Sequence, residues 1–267
     1  LFRSVMRILK ILCVVMLFPS CLLASAQVTQ KVIDIPTRPG VTQRILLLAP
    51  PEPRATVILF AGGHGGLHIY ANGSMKWGDS NFLVRSRQYF ADSGVAVAIV
   101  DAPSDRQSPP YLQGFRQTPD HVTDIKAVIG LMRESIKVPV WLVGTSRGTQ
   151  SVAYLASELA ASDGPDGIVL TSTMLKDRKE RSVSDMPLNK ISIPVLVVHH
   201  EQDGCEHCSF ALIPALMNKF GNSPKAQLLT FKGGENQGDA CQAMAYHGFN
   251  GLEREVVAQT VAWILSK

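Results

Sequence analysis

Gly144-Thr145-Ser146-Arg147-Gly148 is a G-x-S-x-G pentapeptide, and its flanks decide what its serine can do. The apolar run Val138-Pro139-Val140-Trp141-Leu142-Val143 before it reads as a buried strand, and Thr149–Ala156 after it reads as a helix. Strand, tight turn and helix in that order lift a serine hydroxyl above the edge of a sheet, a geometry suited to nucleophilic attack. So sharp a turn strains the serine backbone. Glycines two residues to either side remove the Cβ atoms that would collide there. The helix N-terminus behind the serine favours developing negative charge. The plainer reading of the same residues is a small-residue turn with a capping serine.

The 267 residues, 46% of them hydrophobic, suffice for one large α/β domain with a sizeable core. The formal charge of +4 is misleading. Arg3, Arg7 and Lys10 lie in a first stretch, residues 1–26, that contains no acid, and without them 23 basic residues face 22 acidic ones. A nearly neutral remainder makes no electrostatic case for nucleic acid or an anionic membrane surface. Residues 1–26 read as a secretory signal peptide: a basic segment to Lys10, an apolar segment from Ile11 to Phe18, and a small-x-small cleavage site at Ala24-Ser25-Ala26. The mature chain would begin at Gln27 and work outside the cytoplasm, in a periplasm or secreted, with no membrane attachment. Against an uncleaved anchor stand the short apolar run and its interruption by Pro19 and Ser20. Against a lipidated Cys21 stands Phe18, where an aliphatic residue is expected.

The remainder, residues 27–267, reads as a single domain. Val28–Ile35 and Gln43–Leu48 are expected strands joined by a turn over Pro36–Gly40. Thr56–Phe60, Val95–Val100, the Val138 run, Gly167–Leu170, Ile193–His199 and Gln227–Phe231 follow as strands. Helices are expected over Asn81–Ser93, over Thr118–Ile136 with Thr118 as cap and Pro119 in the first turn, over Ser209–Phe220 and over Leu252–Leu265. Alternating strands and helices after an antiparallel pair predict an α/β architecture, a mostly parallel central sheet with helices on both faces. Residues 171–192 read as a minimal cap or loop at the C-terminal edge of that sheet.

The elbow and this order of elements resemble the α/β-hydrolase superfamily across about residues 30 to 265. The resemblance implies a serine hydrolase with chain order Ser, Asp or Glu, His, acting on a small acyl substrate with no cofactor and no metal. Ser146 would be the nucleophile. Asp203 follows the Pro194–His199 run in the loop His200-Glu201-Gln202-Asp203-Gly204, with Glu201 and Asp177 as alternative acids and an Asp-Gly surface turn as the plainer reading. His247 alone among seven histidines stands between the last strand and the last helix. The oxyanion hole would combine the amide of Arg147 with one from Ala61-Gly62-Gly63-His64-Gly65-Gly66, at Gly63 with His64 next. Trp77, Tyr70, Met75, Phe82, Tyr111, Phe115 and Arg116 suit either a pocket wall or the core. A binding module without catalysis would use the same fold.

His199, His200, Asp203, Cys205, His207 and Cys208 crowd into ten residues, and Cys205–Cys208 has the C-x2-C spacing that zinc sites use. A metal-dependent hydrolase is the rival reading. Export favours a disulfide instead, and three cysteines leave one over. In the superfamily's fold the Asp203 and His247 loops must meet, so the implied bond joins Cys205 to Cys241, with Cys208–Cys241 as the alternative.

Overall fold

The computed structural model describes residues 27–159 and 162–266. The signal-peptide and cleavage-site reading, with Cys13 and Cys21, lies outside the described residues. No helix among the described residues is long and apolar enough to cross a membrane.

Eight strands form one sheet: β1 (Thr29–Arg38), β2 (Val41–Ala49), β3 (Thr56–Phe60), β4 (Ala96–Val100), β5 (Val140–Thr145), β6 (Gly167–Thr171), β7 (Val195–His200) and β8 (Ala226–Phe231). Their spatial order is β1-β2-β4-β3-β5-β6-β7-β8. β1 and β2 are antiparallel, β2 meets β4 antiparallel, and all later pairings are parallel. The helices are α1 (Phe82–Arg85), α2 (Arg87–Asp92), α3 (Pro119–Ile136), α4 (Gly148–Glu158), α5 (Ile213–Met217) and α6 (Glu253–Ile264).

Strand side chains alternate between two cores. Ile58, Phe60, Val140 and Leu142 pack with residues of α3, α4 and α5 on one face. Val57, Leu59, Trp141 and Val143 pack with α1, α2 and α6 on the other. Both faces being covered explains why β3 is apolar throughout Val57–Phe60 and β5 throughout Val140–Val143.

Three expectations need correction. β1 continues through Pro36 to Arg38, so the turn is shorter than Pro36–Gly40. β1 is an edge strand, where a missing proline N–H costs little, and the ladder shifts register between Pro36 and Arg38. The helix over Asn81–Ser93 divides at Ser86 into α1 and α2, with the Asn81 side chain capping the first. The helix over Ser209–Phe220 shrinks to a 3-10 turn, Phe210–Leu212, and the five residues of α5, whose first turn carries Pro214. A helix starting at Ser209 would put that proline in its interior. The Thr118 cap is as expected: its hydroxyl accepts the His121 N–H.

β3 lies between β4 and β5, so the chain leaves β3 in one direction and returns on its other side. Phe60 pairs with Gly144. The glycine-rich loop after β3 and the turn after β5 therefore emerge side by side at the same edge.

His121 on α3 is buried between the rings of Phe60 and Phe115, and neither ring nitrogen has a hydrogen-bond partner. Burial pushes its pKa from 6.5 down to about 3, with the charges of Arg116 and Arg38 adding to the effect. Burial likewise pushes His199 down to about 4, against the pull of Asp203. Both rings are neutral in the fold, yet they protonate near pH 6.5 when unfolded. The unfolded chain therefore binds more protons between about pH 4 and 6.5, and stability falls as pH drops through that window, by up to about 1.4 kcal/mol per unit for each ring. His121→Phe should shrink the loss of urea-unfolding free energy between pH 7 and 4.5 by about 2–3 kcal/mol. An unchanged loss would mean that His121 does not stay neutral in the fold.

Candidate active site

The turn after β5 places Ser146 at φ +52°, the left-handed region that a non-glycine residue adopts only when its surroundings compel it. Those surroundings are close backbone contacts. A Cβ on Gly148 would sit 2.1 Å from the Phe60 carbonyl oxygen, and one on Gly144 would sit 2.6 Å from the Gly148 carbonyl carbon. The Ser146 amide donates to Thr171 O at 3.0 Å, and its carbonyl accepts from Thr149 N at 2.9 Å, so the strained residue is held at both ends. Arg147 is the N-cap of α4, whose N-terminus therefore directly follows the serine.

Asp203 lies in the loop after β7 and is buried. One of its carboxylate oxygens, Oδ2, accepts from His247 Nδ1 at 2.9 Å. The other, Oδ1, accepts the Cys205 amide at 2.9 Å. His247 belongs to a short turn between β8 and α6, with its side chain only 5% exposed. The bond to Asp203 places a proton on Nδ1 and leaves the Nε2 lone pair free. Ser146 and His247 line one cleft of about 430 Å³, together with Gly63 and Arg147.

The alternative acids are engaged elsewhere. Glu201 pairs with Lys232 at 2.9 Å and accepts from Thr230. Asp177 takes the Arg147 guanidinium at 2.6 Å and the Gln150 amide at 3.0 Å. Burial pushes the Asp177 pKa up, but the Lys179 amide, Arg147 and Gln150 outweigh it and hold the carboxyl below its usual range. Through Met174 the 171–192 segment reaches the cleft, as a loop with two 3-10 turns, Val183–Asp185 and Leu188–Lys190, while its Asp177 holds the lining residue Arg147.

The glycine-rich loop is braced from behind by Arg116, 1% exposed, which donates to Ala61 O at 3.1 Å, Gly63 O at 3.3 Å and Ser151 Oγ at 3.1 Å. Burial without a carboxylate partner pulls its pKa down to about 10. Asp101, at the end of β4, accepts the amides of Leu67, His68 and Ile69 and so holds the other end of the same loop. Gly62 approaches the serine so closely that a Cβ there would lie 3.0 Å from Ser146 Cβ. Of the ambiguous aromatics, Trp77 and Phe82 line the cleft. Tyr111 stacks on His64, Met75 and Phe115 pack into cores, and Tyr70 is exposed.

Several side chains support the His247 and Asp203 loops, and the first two of them carry no sequence signal. Ser172, itself at φ +44°, donates its hydroxyl to His247 O at 2.6 Å. Arg85 donates to Gly248 O at 2.6 Å while paired with Glu253. The His200 ring stacks on Tyr246 at 4.4 Å and bonds to Gly233 O. His199 donates from Nε2 to Cys208 O at 2.7 Å. Both histidines thus hold backbone in place, while His207 lies at the rim beside Glu206. Of the crowded stretch from His199 to Cys208, only Cys205 and Cys208 lie near a common point, which they share with His247, among the described residues.

Cys205 and Cys241 form a disulfide that ties the acid loop to the base loop, and Cys208 is a buried free thiol. Cys205 is thereby removed from the ligand set that the C-x2-C spacing suggested. Burial pushes the Cys208 thiol well above its ordinary range, and Asp203 adds to the shift against the pull of Arg147 and the Ser146 hydroxyl. Non-reducing peptide mapping should find Cys205 linked to Cys241 and Cys208 free. Cys241→Ser should lower unfolding free energy by about 4 kcal/mol, the chain-entropy value for a loop of this length. A loss under 1 kcal/mol would show that the bond constrains little.

No protein-family model matches the sequence, and no curated protein matches it. The fold does match solved structures. An α/β serine hydrolase homologue from Coxiella burnetii superposes at a TM-score of 0.57 with 17% identity, over 86% of this chain and 97% of that one. A Pyrococcus furiosus esterase gives a TM-score of 0.64 with 13% identity, over 89% and 90% of the two chains. A dienelactone hydrolase from Anabaena variabilis gives 0.62 with 11% identity, over 89% and 96%. Sheet order, elbow and these superpositions agree that the chain has the α/β-hydrolase fold.

Proposed function

We propose that this chain is an exported serine hydrolase that cleaves a carboxylic ester, or a related acyl bond, through an acyl-enzyme on Ser146. The observation that carries the reading is the Asp203–His247 bond of 2.9 Å, with the His247 ring and the strained Ser146 on one cleft. A serine hydroxyl near neutral pH needs a base to become a nucleophile. His247 Nε2 takes the Ser146 proton as Oγ attacks the carbonyl carbon, and the buried Asp203 carboxylate stabilises the imidazolium. The oxyanion so formed takes the amides of Gly63 and Arg147, with the α4 N-terminus behind them. Collapse expels the alcohol, which receives the proton from His247. A water deprotonated by His247 then attacks the acyl-enzyme, and its collapse releases the acid and restores Ser146. Export is supported by the leader reading of residues 1–26 and by the disulfide, a bond that persists in oxidising compartments. The substrate is a small molecule, in keeping with a cleft of about 430 Å³ walled by His64, Trp77, Phe82 and Met174.

A fluorophosphonate probe should label the wild-type chain and leave Ser146→Ala unlabelled. Equal labelling of the two would remove Ser146 as the nucleophile. Asp203→Asn should lower kcat on p-nitrophenyl acetate on the order of 10³–10⁴-fold with little change in KM, because the ring loses its orienting acceptor. A loss below tenfold would remove Asp203 from the triad.

A further inference from the structure

The hydrolase reading leaves Cys208 unused, although it is a fully buried thiol close to the His247 ring. Cys208 Sγ, Cys205 Sγ and a ring nitrogen of His247 all lie within 4.8 Å of one another. In the oxidised chain Cys205 is bonded to Cys241 and offers no thiolate. The bonds that hold the three groups together do not pass through Cys241. Cys208 N donates to Cys205 O at 2.9 Å, closing the turn that carries both cysteines. One Asp203 oxygen takes the Cys205 amide while the other takes His247 Nδ1. His199 holds the Cys208 carbonyl from the far side. Breaking the disulfide would free the segment around Cys241 and leave this frame in place.

We propose that reduction of the Cys205–Cys241 disulfide creates a site for a thiophilic divalent cation of the zinc class, held by Cys205, Cys208 and His247. A phosphine or dithiol reductant supplies two electrons, and with two protons the S–S bond becomes two thiols while the reductant is oxidised. The cation then displaces the protons of Cys205 and Cys208. Zinc–sulfur and zinc–nitrogen bonds of about 2.3 and 2.0 Å put tetrahedral ligands about 3.5–4 Å apart, within a small side-chain rotation of the present spacing. His247 Nε2 holds the available lone pair, since Nδ1 donates to Asp203, and a carboxylate behind a ligating imidazole is the usual second partner of such a ligand. Cys205 and His247 line the cleft, so an ion can reach them. An ion seated there consumes the lone pair that would accept the Ser146 proton. The cation therefore silences the hydrolase, a consequence that rests on the Ser146 reading, whereas the metal site itself does not.

The test uses the full folded chain and zinc alone as probe. After treatment with a phosphine and its removal under anaerobic conditions, the wild-type chain should bind about one zinc, counted by native mass spectrometry, and the intact-disulfide chain none. Cobalt in place of zinc should give the near-ultraviolet charge-transfer band of a thiolate complex. Cys208→Ser should weaken zinc binding at least 100-fold, with its fold checked by circular dichroism. Cys241→Ser, kept anaerobic, should bind zinc with no reductant, and it decides the matter if Cys208→Ser does not fold. Absence of zinc from both the reduced wild type and Cys241→Ser would overturn the inference, as would equal binding to the intact-disulfide chain. In the reduced wild type, added zinc should abolish p-nitrophenyl acetate hydrolysis and a chelator should restore it. A chain that binds zinc yet never hydrolyses an ester would overturn the Ser146 reading and leave the metal site standing.

Discussion

A carboxylate withdrawn from water must find hydrogen-bond donors for its oxygens, and Asp203 finds two that matter. Its side chain is fully buried, one oxygen on the His247 ring and the other on the Cys205 amide. Every other arrangement at this edge follows from keeping that pair together. The disulfide ties the two loops covalently, Ser172 and Arg85 hold the carbonyls of His247 and Gly248, and Tyr246 rests against His200. An imidazole fixed at this many points is held in one orientation, which the proposed proton relay requires.

The sheet contributes rigidity that these loops lack. Buried on both faces, strands β3 and β5 hold the glycine-rich loop and the Ser146 turn at a fixed separation. Within that frame the positive φ of Ser146 is affordable because the glycines around it let backbone approach backbone. Arg116 plays a comparable part on the other wall. It is a buried cation serving backbone carbonyls, and it fixes that loop from behind.

Much of this was legible in the residue order. Continuous apolar runs such as Thr56–Phe60 predict strands covered on both faces, and Thr118-Pro119 marks a helix start by its cap and its ring. The Ser146 elbow, the Asp203 loop and the His247 turn were each locatable because they stand at strand ends or before the last helix. Less legible were the segments where long-range packing competes with local pattern. The edge position of β1 tolerates Pro36, and Pro214 keeps α5 short although the flanking residues have helical spacing. Asp101 and Ser172 left no signal, and Arg116 showed only as a residue for pocket wall or core, since their main partners are backbone atoms contributed by distant segments.

Two kinds of information are therefore separable. The order of residues by itself determined the alternation of strand and helix, the strained serine turn and the types of side chain available to chemistry, because these depend on neighbours a few residues away. Which acid meets His247, which cysteine is left over and what holds the glycine-rich loop were decided only by the fold. Those outcomes depend on distances between segments dozens of residues apart, and Asp203 was separated from Glu201 and Asp177 only when the latter two proved committed to Lys232 and Arg147.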